Sequence, residues 1–218
     1  MAGTGTDAGT GTGVDPGTLE TTRRTLHGVA ELVIAGPQHR RVGEIALAVT
    51  PGGFRGEPLG VGVEGVRLHF EGGSTPLAGT YRGLAEAAGV DVGAPRDLYR
   101  DVTGIDPDDE LVVDPAAAAV LAAGWRRGYE ALRLFAPQEP PILWPEHFDV
   151  GITVDEVTYG VSPGDSFHPT PYAYVAPWSL PEGEFWNAPF GSCRAVDDLA
   201  DAPARAAYFA EGRRLAAG

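Results

Sequence analysis

The apolar pattern of this chain switches between the period of a helix and that of a strand in no regular alternation, and that irregular order constrains the fold most. Leu26, Val29, Ala30, Val33 and Ile34 recur at i, i+3, i+4, i+7 and i+8, one stripe of a helix. Asp15-Pro16 opens it as N-cap and first-turn proline, and Gly36-Pro37 is expected to end it. Ile45, Leu47 and Val49 then alternate with Glu44, Ala46 and Ala48, a half-buried strand stopped by Pro51-Gly52-Gly53. Val61 and Val63, then Val66, Leu68 and Phe70, flank Glu64-Gly65 as a hairpin or bulged strand. Ser74-Thr75-Pro76 is read as the cap of a short helix carrying Leu77, Leu84 and Ala88, with Gly89 past its end. Leu111 to Val113 is read as a short strand.

Asp114-Pro115 opens the longest helix, over 115–135, where Gly124 and Gly128 cost helix propensity and imply that something packs closely there. Phe148, Val150, Ile152 and Val154 alternate as a strand, Tyr172 to Val175 form another, and a last helix runs from Pro203 to Ala217. Helices and strands in this order predict one α+β domain over 15–218, an antiparallel or mixed sheet packed by three to four helices. Residues 1–14, nearly all Gly, Thr and Ala, are expected to be a flexible tail with little to bury.

Composition narrows the function. Hydrophobic content of 43% with 21% charged residues is that of a globular protein. A net charge of −14 argues against nucleic acid, since phosphate binding needs a positive field. All sixteen basic residues are Arg, a pattern of GC-rich bacterial coding. The single Cys193 permits no intrachain disulfide, no apolar run reaches the ~20 residues that span a bilayer, and no secretory signal pattern opens the chain, so a cytoplasmic location is expected. Gly60 to Gly65 matches G-x-G-x-x-G, but the next residues alternate as a strand where the dinucleotide fingerprint needs a helix. No cofactor is implied.

The working surface is expected between Trp144 and Phe190. Of eight Phe, seven Tyr and four Trp, ten lie in that stretch, interleaved with acids, two His and the only Asn. Such a mix supplies the apolar walls and few placed polar groups of a ligand pocket; the competing reading is plain core. Trp144-Pro145-Glu146-His147-Phe148-Asp149 is its sharpest element. On a strand over 147–154, His147 and Asp149 would share a face, a carboxylate beside an imidazole that suits acid–base work, with Glu146 nearby. Trp144, Asp165, His168, Tyr172, Tyr174, Trp186 and Asn187 are the expected ligand contacts. Ser162, Ser166 and Ser192 lack a nucleophile elbow, and Cys193 beside Arg194 is either a thiolate or a small buried hydrophobe.

Several blocks also resemble a bacterial, actinobacterial-type protein family of unknown function. They are Thr25-Leu26-His27, Gly43-Glu44-Ile45-Ala46-Leu47, Leu143 to Asp149, Tyr172 to Gly183, and Phe185 to Phe190. The chain departs from the family pattern at Pro145-Glu146-His147, where the family carries small residues, so Phe148-Asp149 is the part that carries over. The resemblance implies domain limits and no activity.

The leading expectation is therefore a small-molecule-handling domain, as binder or enzyme, with acid–base candidates His147, Asp149 and Glu146. One alternative is a non-catalytic interaction or homodimerisation module using the aromatic loops, with Tyr172, Trp178 and Trp186 buried between copies. A second is a metal-dependent oxygenase or hydrolase using His147, Asp149 and His168.

Overall fold

A computed structural model describes residues 13–95, 98–99 and 102–218. The tail expected at the N-terminus falls mostly on residues 1–12, outside that set. Helix α1 (Pro16–Gly28) begins where expected, with the Asp15 carboxylate accepting from the Thr18 amide at 3.0 Å. It does not end at Gly36-Pro37. The chain passes through a π-helical segment, Val29–Ala35, into α2 (Gly36–Val42). There the Gly36 amide bonds the Glu31 carbonyl five residues back, and the wider turn takes in a proline that supplies no amide of its own. Gly43, at φ +80°, is the true stop.

Two antiparallel meanders follow, so of the two sheet types expected the structure has the antiparallel one. The first runs β1 (Ala48–Thr50), β2 (Gly53–Gly56), β3 (Val61–Glu64), β4 (Arg67–Phe70) and β5 (Gly73–Pro76), each paired with the next. Ser74-Thr75-Pro76 is thus a strand and not a helix cap: the Arg67 guanidinium clamps the Ser74 hydroxyl at 2.9 Å across the β4–β5 pair. The cap of α3 (Tyr81–Ala88) is Thr80, whose hydroxyl accepts from the Gly83 amide at 3.1 Å. Residues 111–113 form no strand; only Glu110 bridges to Thr80.

Helix α4 (Pro115–Phe135) is the central post. Asp114 caps it through the Ala117 amide at 2.8 Å. The second meander, β6 (Ile142–Trp144), β7 (Asp149–Val154), β8 (Val157–Ser162), β9 (Tyr172–Pro177) and β10 (Ser192–Ala195), packs one face on α4 and on α5 (Ala202–Ala216). Val150, Ile152, Tyr159, Val161 and Val175 fill that face. A β-carbon on Gly128 would lie 2.6 Å from Val150 and 2.8 Å from Val161, so the helix meets the sheet backbone-close there; Gly124 faces open space and has no such neighbour. Leu47 bridges to Leu143 and joins the two sheets into one α+β domain. Among the described residues no helix is long and apolar enough to cross a membrane.

Candidate functional site

The opposite face of the second sheet carries the chemistry. Strand alternation puts Asp149 and Gly151 of β7, Thr158, Gly160 and Ser162 of β8, and Tyr172, Tyr174 and Ala176 of β9 on that side. Of these, Asp149, Thr158, Ser162, Tyr172, Tyr174 and Ala176 floor a concave cavity of about 790 Å³. Helix α1 closes one wall with Glu20, Arg23, Arg24 and His27, while Phe167 and Phe190 close another. The volume lies within the range of small-molecule sites.

Two glycines shape the floor. Gly151 and Gly160 are cross-strand partners, and Gly160 faces Tyr174 on the next strand. The Tyr174 phenol lies across this bare shelf: a β-carbon on Gly160 would sit 2.5 Å from its ring, and one on Gly151 3.3 Å from its hydroxyl. Lying flat, Tyr174 reaches Asp149 and donates a short hydrogen bond to Oδ2. Asp149 is only 5% exposed. Burial pushes its carboxyl pKa up, against the opposing pull of the Tyr174 hydrogen bond and of His147. Burial, with the carboxylate it faces, also drives the Tyr174 phenol well above its ordinary value. Burial thus favours the protonated form of both members of the pair, and a carboxyl that holds its proton can donate to a ligand.

A second tyrosine–aspartate pair stands beside the first. Tyr172 donates to Asp165 Oδ2 at 2.6 Å, and Oδ1 of the same carboxylate accepts from the Phe167 and His168 amides at 2.8 and 2.9 Å. Asp165 thus pins the loop after Pro163-Gly164 to the sheet, and burial raises the Tyr172 pKa. Phe167, Tyr172 and Phe190 pack ring to ring at 5.1–6.4 Å along that wall.

His147 is not on the strand. Pro145 to Phe148 form a tight turn, with the Phe148 amide bonded to the Trp144 carbonyl at 2.8 Å and Phe148 at φ +55°. That reversal points Asp149 inward and leaves His147 exposed at the cavity mouth beside Glu146. Glu146, His147, Asp149, Asp165, Tyr172 and Tyr174 all line the cavity. Trp144, His168, Trp186 and Asn187 do not. Trp144 is exposed on β6; His168 bonds the Thr170 carbonyl at 2.8 Å; Trp186 packs on Phe185; Asn187 pins Cys193 at 2.9 and 3.1 Å. Among the described residues no three His, Cys, Asp or Glu side chains gather as a metal site, and His147, Asp149 and His168 are no exception. Of the three aromatics expected to share an interface, Tyr172 is buried within the chain and Trp186 is half-buried, while Trp178 is exposed.

Ser166 lines the cavity, while the other two serines and the cysteine take plain roles. Ser162 is buried and accepts from the Gly164 amide at 3.1 Å; Ser192 accepts from Tyr208 at 2.8 Å. Burial raises the Cys193 pKa, which disfavours a thiolate despite Arg194.

Sequence reasoning missed His27, Arg23 and the glycine shelf. The signals were present: Glu20, Arg23, Arg24 and His27 recur at helical spacing on one face of α1, and glycine inside a strand marks close approach. It also missed Glu31, buried in the π-helical segment, where it accepts from the Tyr99 hydroxyl and the Thr103 amide, each at 3.1 Å, and from the Thr103 hydroxyl. That carboxylate holds Thr103 at the cavity wall. No protein-family model, no curated protein and no solved structure matches this chain.

Proposed function

We propose that the protein takes up a small organic molecule in this cavity and that Asp149, backed by Tyr174, serves as its proton donor. One observation carries the reading: a buried carboxyl at the floor of a ligand-sized cavity, hydrogen-bonded by a tyrosine, where burial pushes its pKa up and favours the protonated form. A carboxylic acid held neutral in an apolar site is a strong donor to a ligand carbonyl or similar acceptor, and it is an acid when that acceptor gains negative charge. His147 and Glu146 line the mouth beside it.

Nile red, an uncharged apolar dye, tests the reading. Its fluorescence should rise with the wild-type protein and fall back when Ala176, on the floor, is replaced by Phe to fill the cavity. Equal fluorescence from wild type and A176F, both shown folded by circular dichroism, would place the dye elsewhere and remove the proposal.

A further inference from the structure

We infer that His27 is the cavity's hydrogen-bond acceptor, so that the ligand is an uncharged molecule presenting a donor and an acceptor together, as a lactam or other cyclic amide does. The inference rests on the cavity reading above and names its ligand class. The His27 ring lines the cavity, and its Nε2 sits 2.7 Å from the Pro145 carbonyl oxygen. A carbonyl only accepts, so Nε2 carries the proton and the tautomer is fixed. Nδ1 is then a bare lone pair, with no hydrogen-bond partner among the described residues, and it is the ring's remaining polar atom.

The ring cannot turn to hide that lone pair. It lies parallel to Phe148 at 5.0 Å with an interplanar angle of 1°. A flip within the stack would put a C–H in place of Nε2 and lose the bond to Pro145, and any other rotation would break the stack. Burial also lowers the His27 pKa, outweighing the Pro145 bond and Glu31, so the imidazole stays neutral. Asp149 flanks the same phenylalanine from the next position in the chain and offers the donor. Formal charges, on Glu20, Arg23, Arg24, Glu146 and Asp165, include both signs and belong to α1, the turn and the loop after Gly164 rather than to the strands of the floor. The Asp165 carboxylate already accepts from Tyr172 and two loop amides. A charged ligand would find no counter-charge at the floor. A neutral amide would find a donor for its oxygen and an acceptor for its N–H.

The probe pair is 2-pyridone, with adjacent N–H and C=O, and N-methyl-2-pyridone, which keeps only the acceptor. Titrations of uniformly ¹⁵N-labelled full-length protein should show 2-pyridone binding about tenfold tighter, the worth of one good hydrogen bond. The preference should disappear in His27→Phe, which keeps the stack on Phe148. Because that variant also loses the Pro145 bond, long-range ¹H–¹⁵N spectra of the wild type give a second readout. Nδ1 should report an unprotonated nitrogen at pH 6.5 and shift when 2-pyridone is added. Equal binding of the two pyridones, or cavity amides that move while Nδ1 does not, would overturn the role of His27. Nile red bound in the cavity with neither pyridone would overturn the ligand class and spare the cavity reading; failure of all three probes would remove both.

Discussion

Replacing Gly160 with Ala should unseat Tyr174 from Asp149, and the cost can be worked from the floor of the cavity. The three atoms nearest to a new β-carbon all belong to Tyr174: Cζ and Oη at 2.5 Å and Cε1 at 2.6 Å. No real β-carbon contact is that short, so the ring must lift and draw its hydroxyl away from the buried carboxyl. Overpacking of this kind costs about 1–3 kcal/mol, and weakening the bond to a buried acceptor adds about 1 kcal/mol. The lower unfolded-chain entropy of Ala offsets about 0.5–1 kcal/mol of that sum. The net loss of about 2 kcal/mol lowers the melting temperature by about 4–8 °C in a chain of this size. Thermal unfolding of G160A in the wild-type and Tyr174→Ala backgrounds is the assay. With the ring gone, the substitution should become neutral or mildly stabilising. The same loss in both backgrounds would mean that the clash lies elsewhere and that the shelf does not seat Tyr174.

Three further substitutions have outcomes fixed by the same contacts. Gly124→Ala, which meets nothing, should stabilise by about 0.5–1 kcal/mol, whereas Gly128→Ala, against Val150 and Val161, should destabilise by about 1–3 kcal/mol; urea unfolding that ranks them the other way refutes the packing of α4 on β7 and β8. Tyr159→Phe should stabilise by about 1 kcal/mol, since the Tyr159 hydroxyl is buried without a partner among the described residues; a loss of stability would reveal a bound partner there. Asp149→Asn tests the buried carboxyl through pH. The folded pKa lies above the ordinary value of 3.8, so as pH rises past 3.8 the unfolded chain releases its proton first and the wild type loses stability relative to D149N. The stability of D149N minus that of the wild type should rise until native Asp149 ionises and then hold level; a difference that falls with rising pH contradicts a raised pKa.

What could be read from the sequence was what local chemistry decides alone. Asp114-Pro115 before a long Ala- and Leu-rich run is a complete start signal, and α4 begins where that signal places it. The Val150, Ile152, Val154 alternation gave the inner face of β7 and therefore put Asp149 on the outer one. Reading failed where one local signal was overruled by pairing or register. Gly36-Pro37 is a stop signal, yet the π-helical segment carries the helix past it, because Gly36 packs under the 93–94 backbone where a β-carbon would lie 1.7 Å from the Gly93 oxygen. Strand β8 is interrupted in pattern by Thr158, which lines the cavity, and by Gly160, which lies under the Tyr174 ring. His168 and Asn187 looked like ligand groups because their type is polar; their hydrogen bonds are spent on their own loops, which residue type cannot reveal.

Phe148 shows why the site and the core are one problem. A non-glycine residue at φ +55° costs about 1–3 kcal/mol, and burying a Phe side chain returns about 1.5–3 kcal/mol. The ring has no freedom left to relax: His27 stacks on it, Trp125 meets it at 4.7 Å and Phe54 at 5.4 Å, edge to face. Its carbonyl accepts from the Trp125 indole at 3.2 Å. The left-handed turn is therefore imposed by α1, α4 and the first sheet together. That same turn swings Asp149 under Tyr174 and sets the Pro145 carbonyl to fix the His27 tautomer. Donor and acceptor are held by core packing before any ligand arrives, so their ordering entropy is met by folding and does not weaken binding.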